Sequence, residues 1–182
     1  MKLKFKTLQS VVLYNYRYKF AYTFVFLFAL YFLFWRLSNI GPGISDVELA
    51  NATRTINYTS FLNDPLYPLH SLLQWISVNL LGVTSLSLRL PSVLIAGATV
   101  YFLYVLLKKW FGKVTALLST ALLLSADWFL FTARLGTGAI EFTFWFTLLL
   151  FSLMKLIEKK FQWLIMYSFA ATMLLFVPYG IY

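Results

Sequence analysis

Five long apolar runs divide this chain, at residues 20–35, 90–107, 114–131, 142–156 and 161–177, and short lysine clusters stand between several of them. As a helix, each such run covers most or nearly all of a hydrocarbon core of about 30 Å. With 61% hydrophobic and 12% charged residues, the chain is too apolar for a soluble domain. The expected class is all-α: a polytopic membrane helix bundle of about five transmembrane helices, with short surface helices in its first outer loop.

The formal net charge of +9 does not indicate nucleic acid, because the fifteen Lys and Arg fall in clusters between apolar runs rather than along an exposed face. They act as topology signals. The absence of cysteine excludes disulfides, thiolate metal sites and a Cys nucleophile. Met1–Lys19 carries Lys2, Lys4, Lys6, Arg17 and Lys19 among tyrosines and apolar residues, the pattern of a cytoplasmic interfacial segment. The first run ends at Trp35-Arg36 without a small-residue cleavage pattern, which argues against a removable signal peptide.

The segment Leu69–Leu81 decides the rest of the topology. At roughly 20 Å it is too short to cross, and with His70, Gln74 and Asn79 in it the segment reads as a surface helix. The run at 90–107 then returns to the cytoplasm and delivers Lys108, Lys109 and Lys113 there; the run at 142–156 does the same for Lys155, Lys159 and Lys160. Eleven of the fifteen basic residues become cytoplasmic, as the positive-inside rule requires. The chain is therefore expected to be a multi-pass integral membrane protein with a cytoplasmic N-terminus and one elaborated outer loop, 37–89.

That loop opens with Gly41-Pro42-Gly43 and continues as Ser45-Asp46-Val47-Glu48, the spacing of a capping box at the start of a short helix from Asp46 to about Ile56. Asn63-Asp64-Pro65 and Pro68 break the stretch that follows. The topology gathers Asp46, Glu48, Arg54, Asp64, His70, Arg89, Arg134 and Glu141 on the non-cytoplasmic side. A carboxylate held just outside a membrane suits chemistry on a lipid-linked substrate.

From about Pro42 to Lys160 the chain resembles the N-terminal part of a polyprenyl-phosphate-sugar-dependent glycosyltransferase of the C-type fold. That group includes the protein O-mannosyltransferases and the lipid A aminoarabinose transferase. The resemblance rests on ordered pieces: the acidic Asp46-Val47-Glu48, the Asp64-Pro65-Leu66-Tyr67 element, Arg89-Leu90-Pro91-Ser92 before the second span, Lys108-Lys109-Trp110-Phe111-Gly112 after it, and Trp128 with Ala133-Arg134. Aligned without a gap, Glu48 takes the Glu place of the family's adjacent Asp-Glu, Val47 takes the Asp place, and Asp46 sits one residue early. Gly138 and Ala139 stand where an acidic residue often follows the third outer Arg, with Glu141 later.

The resemblance implies a single transmembrane module over 1–182, the N-terminal part of a larger enzyme and inactive alone. It would transfer a hexosyl or pentosyl group from a polyprenyl-phosphate sugar, within membrane lipid, to a protein, lipid or glycan acceptor that the sequence does not identify. In such an enzyme Asp46 or Glu48 takes the acceptor's proton, and Arg89 and Arg134 hold the donor phosphate. Each residue also has a plainer reading. Asp46 complements a helix dipole, Glu48 closes a capping box, and the two arginines snorkel to the interface. Arg54, Asp64 and His70 are candidate substrate contacts. His70 with Asp64 and Glu48 offers ligands for a divalent metal, although no spacing requires a cofactor. Asp127 and Glu141 are expected to snorkel or to pair with Arg134. The competing class is a non-catalytic membrane protein that binds or flips a lipid-linked sugar.

Overall fold

The computed structural model describes residues 66–178 together with 23–24, 27–29, 31–35, 37, 45–46, 48–50 and 53. From residue 66 on, the described residues form six helices in succession: α1 (Pro68–Leu81), α2 (Ser85–Phe111), α3 (Lys113–Ser125), α4 (Asp127–Arg134), α5 (Ile140–Ile157) and α6 (Trp163–Leu175). Among the described residues there is no strand. Residues 46, 48–50 and 53 are helical, in keeping with the short helix expected after Ser45, and so are 23–24, 27–29 and 31–34 in the first apolar run.

α2 is the central element and packs against α1, α3, α4 and α5, while α6 lies on α5. Val93, Ile95 and Ala96 of α2 meet Leu124, Phe129, Ala133, Phe144, Trp145 and Leu148 in the main core, which Leu33 and Leu37 join. Sequence chemistry explains the boundaries. Pro68 starts α1 at its first turn, where a missing N–H costs nothing, and Gly82 stops it at φ 74° with its N–H on the Val78 carbonyl (2.9 Å). α2 starts at Ser85, five residues before the expected span, because Thr84 and Ser87 form a reciprocal cap. Ser87 N donates to Thr84 Oγ1 (3.1 Å) and Thr84 N to Ser87 Oγ (3.0 Å). Pro91 thus lies inside the helix rather than at its opening.

α2 and α5 are each long and apolar enough to cross a membrane. The expected span at 114–131 is instead broken at Ala126, and α3 and α4 meet at a bend of 65°. Ser125 Oγ donates back to the Leu122 carbonyl (2.9 Å), and Asp127 begins a new helix where its charge favours the N-terminus. Taken as one, the bent pair supplies a third span. α6 has 13 residues, about 20 Å, and is shorter than the run that contains it. Of the first expected span, residues 23–24, 27–29 and 31–35 are described, and all but Trp35 among them are helical. The protein is a helical bundle of an integral membrane kind.

Its ends differ chemically. Lys109 Nζ meets Glu158 Oε1 at 2.9 Å and Lys155 Nζ meets Glu158 Oε2 at 3.6 Å, so the C-terminal ends of α2 and α5 coincide. At the opposite end Tyr67 N donates to the Phe176 carbonyl (3.4 Å), which brings the end of α6 to the start of α1. Both lysine clusters therefore occupy one end of the bundle. The other end holds the candidate site.

Candidate active site

Glu48 is the hub of that end. Arg89 Nε donates to its Oε1 (2.8 Å) and Arg89 Nη2 to its Oε2 (3.0 Å), a two-pronged pair between side chains 2% and 1% exposed. The remaining acceptor positions are filled as well. Ser45 N donates to Oε2 (3.0 Å), the Glu half of the expected capping box, and Gly136 N donates to Oε1 (2.9 Å). A carboxylate offers about four lone-pair sites, and all four are engaged. Burial pushes the Glu48 pKa up, but the Arg89 guanidinium and the N–H groups of Ser45 and Gly136 outweigh it and hold the group below its ordinary range. So engaged, Glu48 is a poor acceptor of a further proton.

Arg89 is equally committed, since its Nη1 donates to the Leu37 carbonyl (3.0 Å). It ties the start of the outer loop, just past the first apolar run, and the acidic segment to the first turns of α2. Gly136 is small for a local reason: a Cβ there would stand 3.0 Å from the Leu88 carbonyl oxygen and 3.4 Å from Glu48 Cγ. A side chain at 136 would separate the loop from the ion pair.

A second buried network lies beside the first. The Glu141 carboxylate accepts from the His70 backbone N–H and, on Oε2, from Trp145 Nε1 (2.9 Å). Tyr67, the N-cap of α1, provides no side-chain cap, and no acidic residue occupies the first turn. Glu141 of α5 supplies that cap from across the bundle, a tertiary version of the usual arrangement at a helix start. His70 Nε2 lies 3.0 Å from Ser92 Oγ, and Ser92 Oγ donates to the Thr137 carbonyl (3.1 Å). The imidazole is 2% exposed, and burial lowers its pKa to about 4, so it is neutral at pH 7.

Arg134 closes the group. Its Nη2 donates to the Trp35 carbonyl, its Nε has no hydrogen-bond partner among the described residues, and its charge faces that of Arg89. With Asp127, Leu130, Phe131 and Leu135 it lines an open depression of about 320 Å³. Asp127 shares that depression, exposed and without an ion pair to Arg134, which fits the snorkelling alternative, whereas Glu141 is fully buried in the neighbouring network and does neither. Asp46 is exposed, two residues before Glu48.

The candidates thus separate. Glu48, His70, Arg89 and Arg134 meet at one end of the bundle, with Asp46 exposed beside Glu48, while Arg54 and Asp64 lie outside the described residues. No three His, Asp or Glu side chains group as metal ligands among the described residues. Sequence reasoning missed Ser92, Gly136 and Trp145 as members. The four-residue spacing of Glu141 and Trp145, one helical turn, was the available signal for the last.

The family model described as dolichyl-phosphate-mannose-protein mannosyltransferase matches residues 63–182 of this chain. The chain belongs to that family. Its membership makes it a membrane glycosyltransferase of the mannosyltransferase type. No curated protein and no solved structure matches it. The mannosyltransferase match covers His70, Arg89, Arg134 and Glu141 but begins after Asp46 and Glu48. The bonds from Arg89 and Gly136 to Glu48 join that earlier acidic segment to the matched part.

Proposed function

We propose that this chain carries the catalytic end of a transferase that moves a sugar, hexose or pentose, from a polyprenyl phosphate to a hydroxyl or amine of a protein, lipid or glycan on the non-cytoplasmic face. What supports this most directly is the division of labour around Glu48. Because Arg89 holds Glu48, Asp46 is left exposed beside it, and Arg134 has no carboxylate partner among the described residues. In this reading the acceptor heteroatom attacks the anomeric carbon and the bond from that carbon to the phosphate oxygen breaks. Asp46 takes the acceptor's proton, and the lipid phosphate leaves with its charge beside Arg134. Glu48 and Arg89 hold the two groups in register. The helices of 1–182 act as one module, and the groups named for the step are side chains of this chain.

The test is transfer from a polyprenyl-phosphate mannose to a peptide acceptor by the complete protein in proteoliposomes. Asp46→Asn is expected to lower kcat by about 10²- to 10⁴-fold while donor binding persists. Full activity in that variant removes Asp46 from the role. Binding of the lipid phosphate by the wild type with no sugar released would favour the non-catalytic alternative.

A further inference from the structure

The segment 135–139, between Arg134 and α5, is gripped from several sides. Gly136 N–H is held by Glu48, the Thr137 carbonyl by Ser92, and Gly138 lies so close under the Tyr67 ring that any Cβ would collide with it. The Ser92 hydroxyl has a single proton and gives it to Thr137, so in the 3.0 Å contact with His70 the imidazole Nε2–H is the donor. This sets the tautomer of a neutral ring. The backbone of His70 is fixed in turn by Glu141. A directed chain therefore runs from Glu141 of α5 through His70 of α1 and Ser92 of α2 to the peptide that follows Arg134. An apolar residue would fill the His70 site without losing hydration; a buried imidazole gains there a donor aimed at one oxygen.

We propose that His70 is a positioning residue of the donor site, which acts through Ser92 on the Thr137 carbonyl to hold 135–139, and with it Arg134, in the orientation that receives the lipid phosphate. This rests on the donor site proposed above. His70 touches neither phosphate nor sugar in this role. Its loss lets the segment drift and Arg134 with it, which weakens the hold on the lipid phosphate, while Asp46 stays in place.

The experiment uses the complete protein and a polyprenyl-phosphate mannose donor, comparing wild type with His70→Leu, His70→Gln, Ser92→Ala and the double variant His70→Leu/Ser92→Ala. The amide nitrogen of Gln reaches the place of Nε2 and can donate to Ser92, which Leu cannot. Loss of one buried hydrogen bond is expected to raise the donor KM about tenfold in His70→Leu and in Ser92→Ala, with kcat lowered by less than that. The double variant should be no worse than either single one, because both cut the same chain, and His70→Gln should recover most of the loss. Labelling of Thr137→Cys, followed on the peptide that carries it, should quicken severalfold in the His70→Leu and Ser92→Ala backgrounds and stay slow with His70→Gln.

Additive effects in the double variant, a fall in kcat at unchanged KM, or His70→Gln behaving like His70→Leu overturns the proposal. Should His70→Leu fail to fold, Ser92→Ala decides alone: an unchanged KM and unchanged labelling at 137 overturn it. A wild type that transfers no sugar defeats the functional reading instead. The labelling comparison still decides the positioning.

Discussion

At the scale of single residues, the Glu48–Arg89 pair is the strongest constraint on the site and its greatest vulnerability. Removing one partner of a buried pair leaves a charge without compensation, at about 3 to 5 kcal/mol, whereas replacing both with apolar residues is far milder. Glu48→Leu and Arg89→Met should therefore each lower the unfolding midpoint of the complete protein in detergent strongly, and the double variant should regain part of the loss. A double variant worse than both singles would mean that the pair is not the unit of stability. Acid adds a second prediction. Glu48 has a folded pKa below its ordinary 4.5, so its contribution is complete above about pH 4.5 and is lost as pH falls through the lower folded value. His70 has a folded pKa of about 4 against an ordinary 6.5, so the unfolded chain binds a proton first and stability drops as pH falls from 6.5 toward 4. Both groups make acid destabilising, with the share of His70 lost first. Unfolding midpoints should be nearly level from pH 7.5 to about 6.5 and fall from there to 4, and His70→Gln should flatten the part above pH 4.5.

Among the helices, local chemistry and apolar pattern disagreed in instructive places. α1 was legible to within one residue because Pro68 and Gly82 bracket it. The start of α2 was not, since Pro91 looks like a first-turn proline, while the Thr84–Ser87 cap that begins the helix carries a weaker sequence signal. The break at Ala126 falls inside a continuous apolar run, and only Asp127 marks it. The glycines offer a test at this scale. Gly138→Ala must displace the Tyr67 ring, which sits at the N-cap of α1 with φ 54°, and overpacking of this sort costs about 1 to 3 kcal/mol. Gly97→Ala, within α2, meets nothing within 4 Å and removes a poor helix former, so it should be neutral or stabilising by up to about 1 kcal/mol. Thermal unfolding of the two variants side by side checks this, and an equal effect would show that the contact with Tyr67 does not hold the segment.

For the molecule as a whole, the division into a lysine end and a carboxylate–arginine end was readable from charge parity and the shortness of Leu69–Leu81, because successive loops fall at alternate ends of a bundle and the lysines stand in every second one. The pairing inside the site was not readable. Glu48 and Arg89 are 41 residues apart and His70 and Glu141 are 71 apart, distances that leave no periodic trace. α1 adds an inversion: it buries the polar stripe His70, Gln74 and Ser77 and exposes Leu72, Trp75, Ile76 and Leu80, as suits a helix lying against lipid with its polar side on the site. If α2 and α5 cross in parallel, as the contacts at both ends require, a membrane-impermeant maleimide should reach Ala50→Cys and Leu66→Cys from one face and Trp110→Cys and Lys160→Cys only from the other. All four positions are exposed, and the chain brings no cysteine of its own to confuse the signal. Labelling of residues 50 and 160 from the same face would place α5 along the bilayer rather than across it, and the carboxylate–arginine end would then have no membrane between it and the lysines.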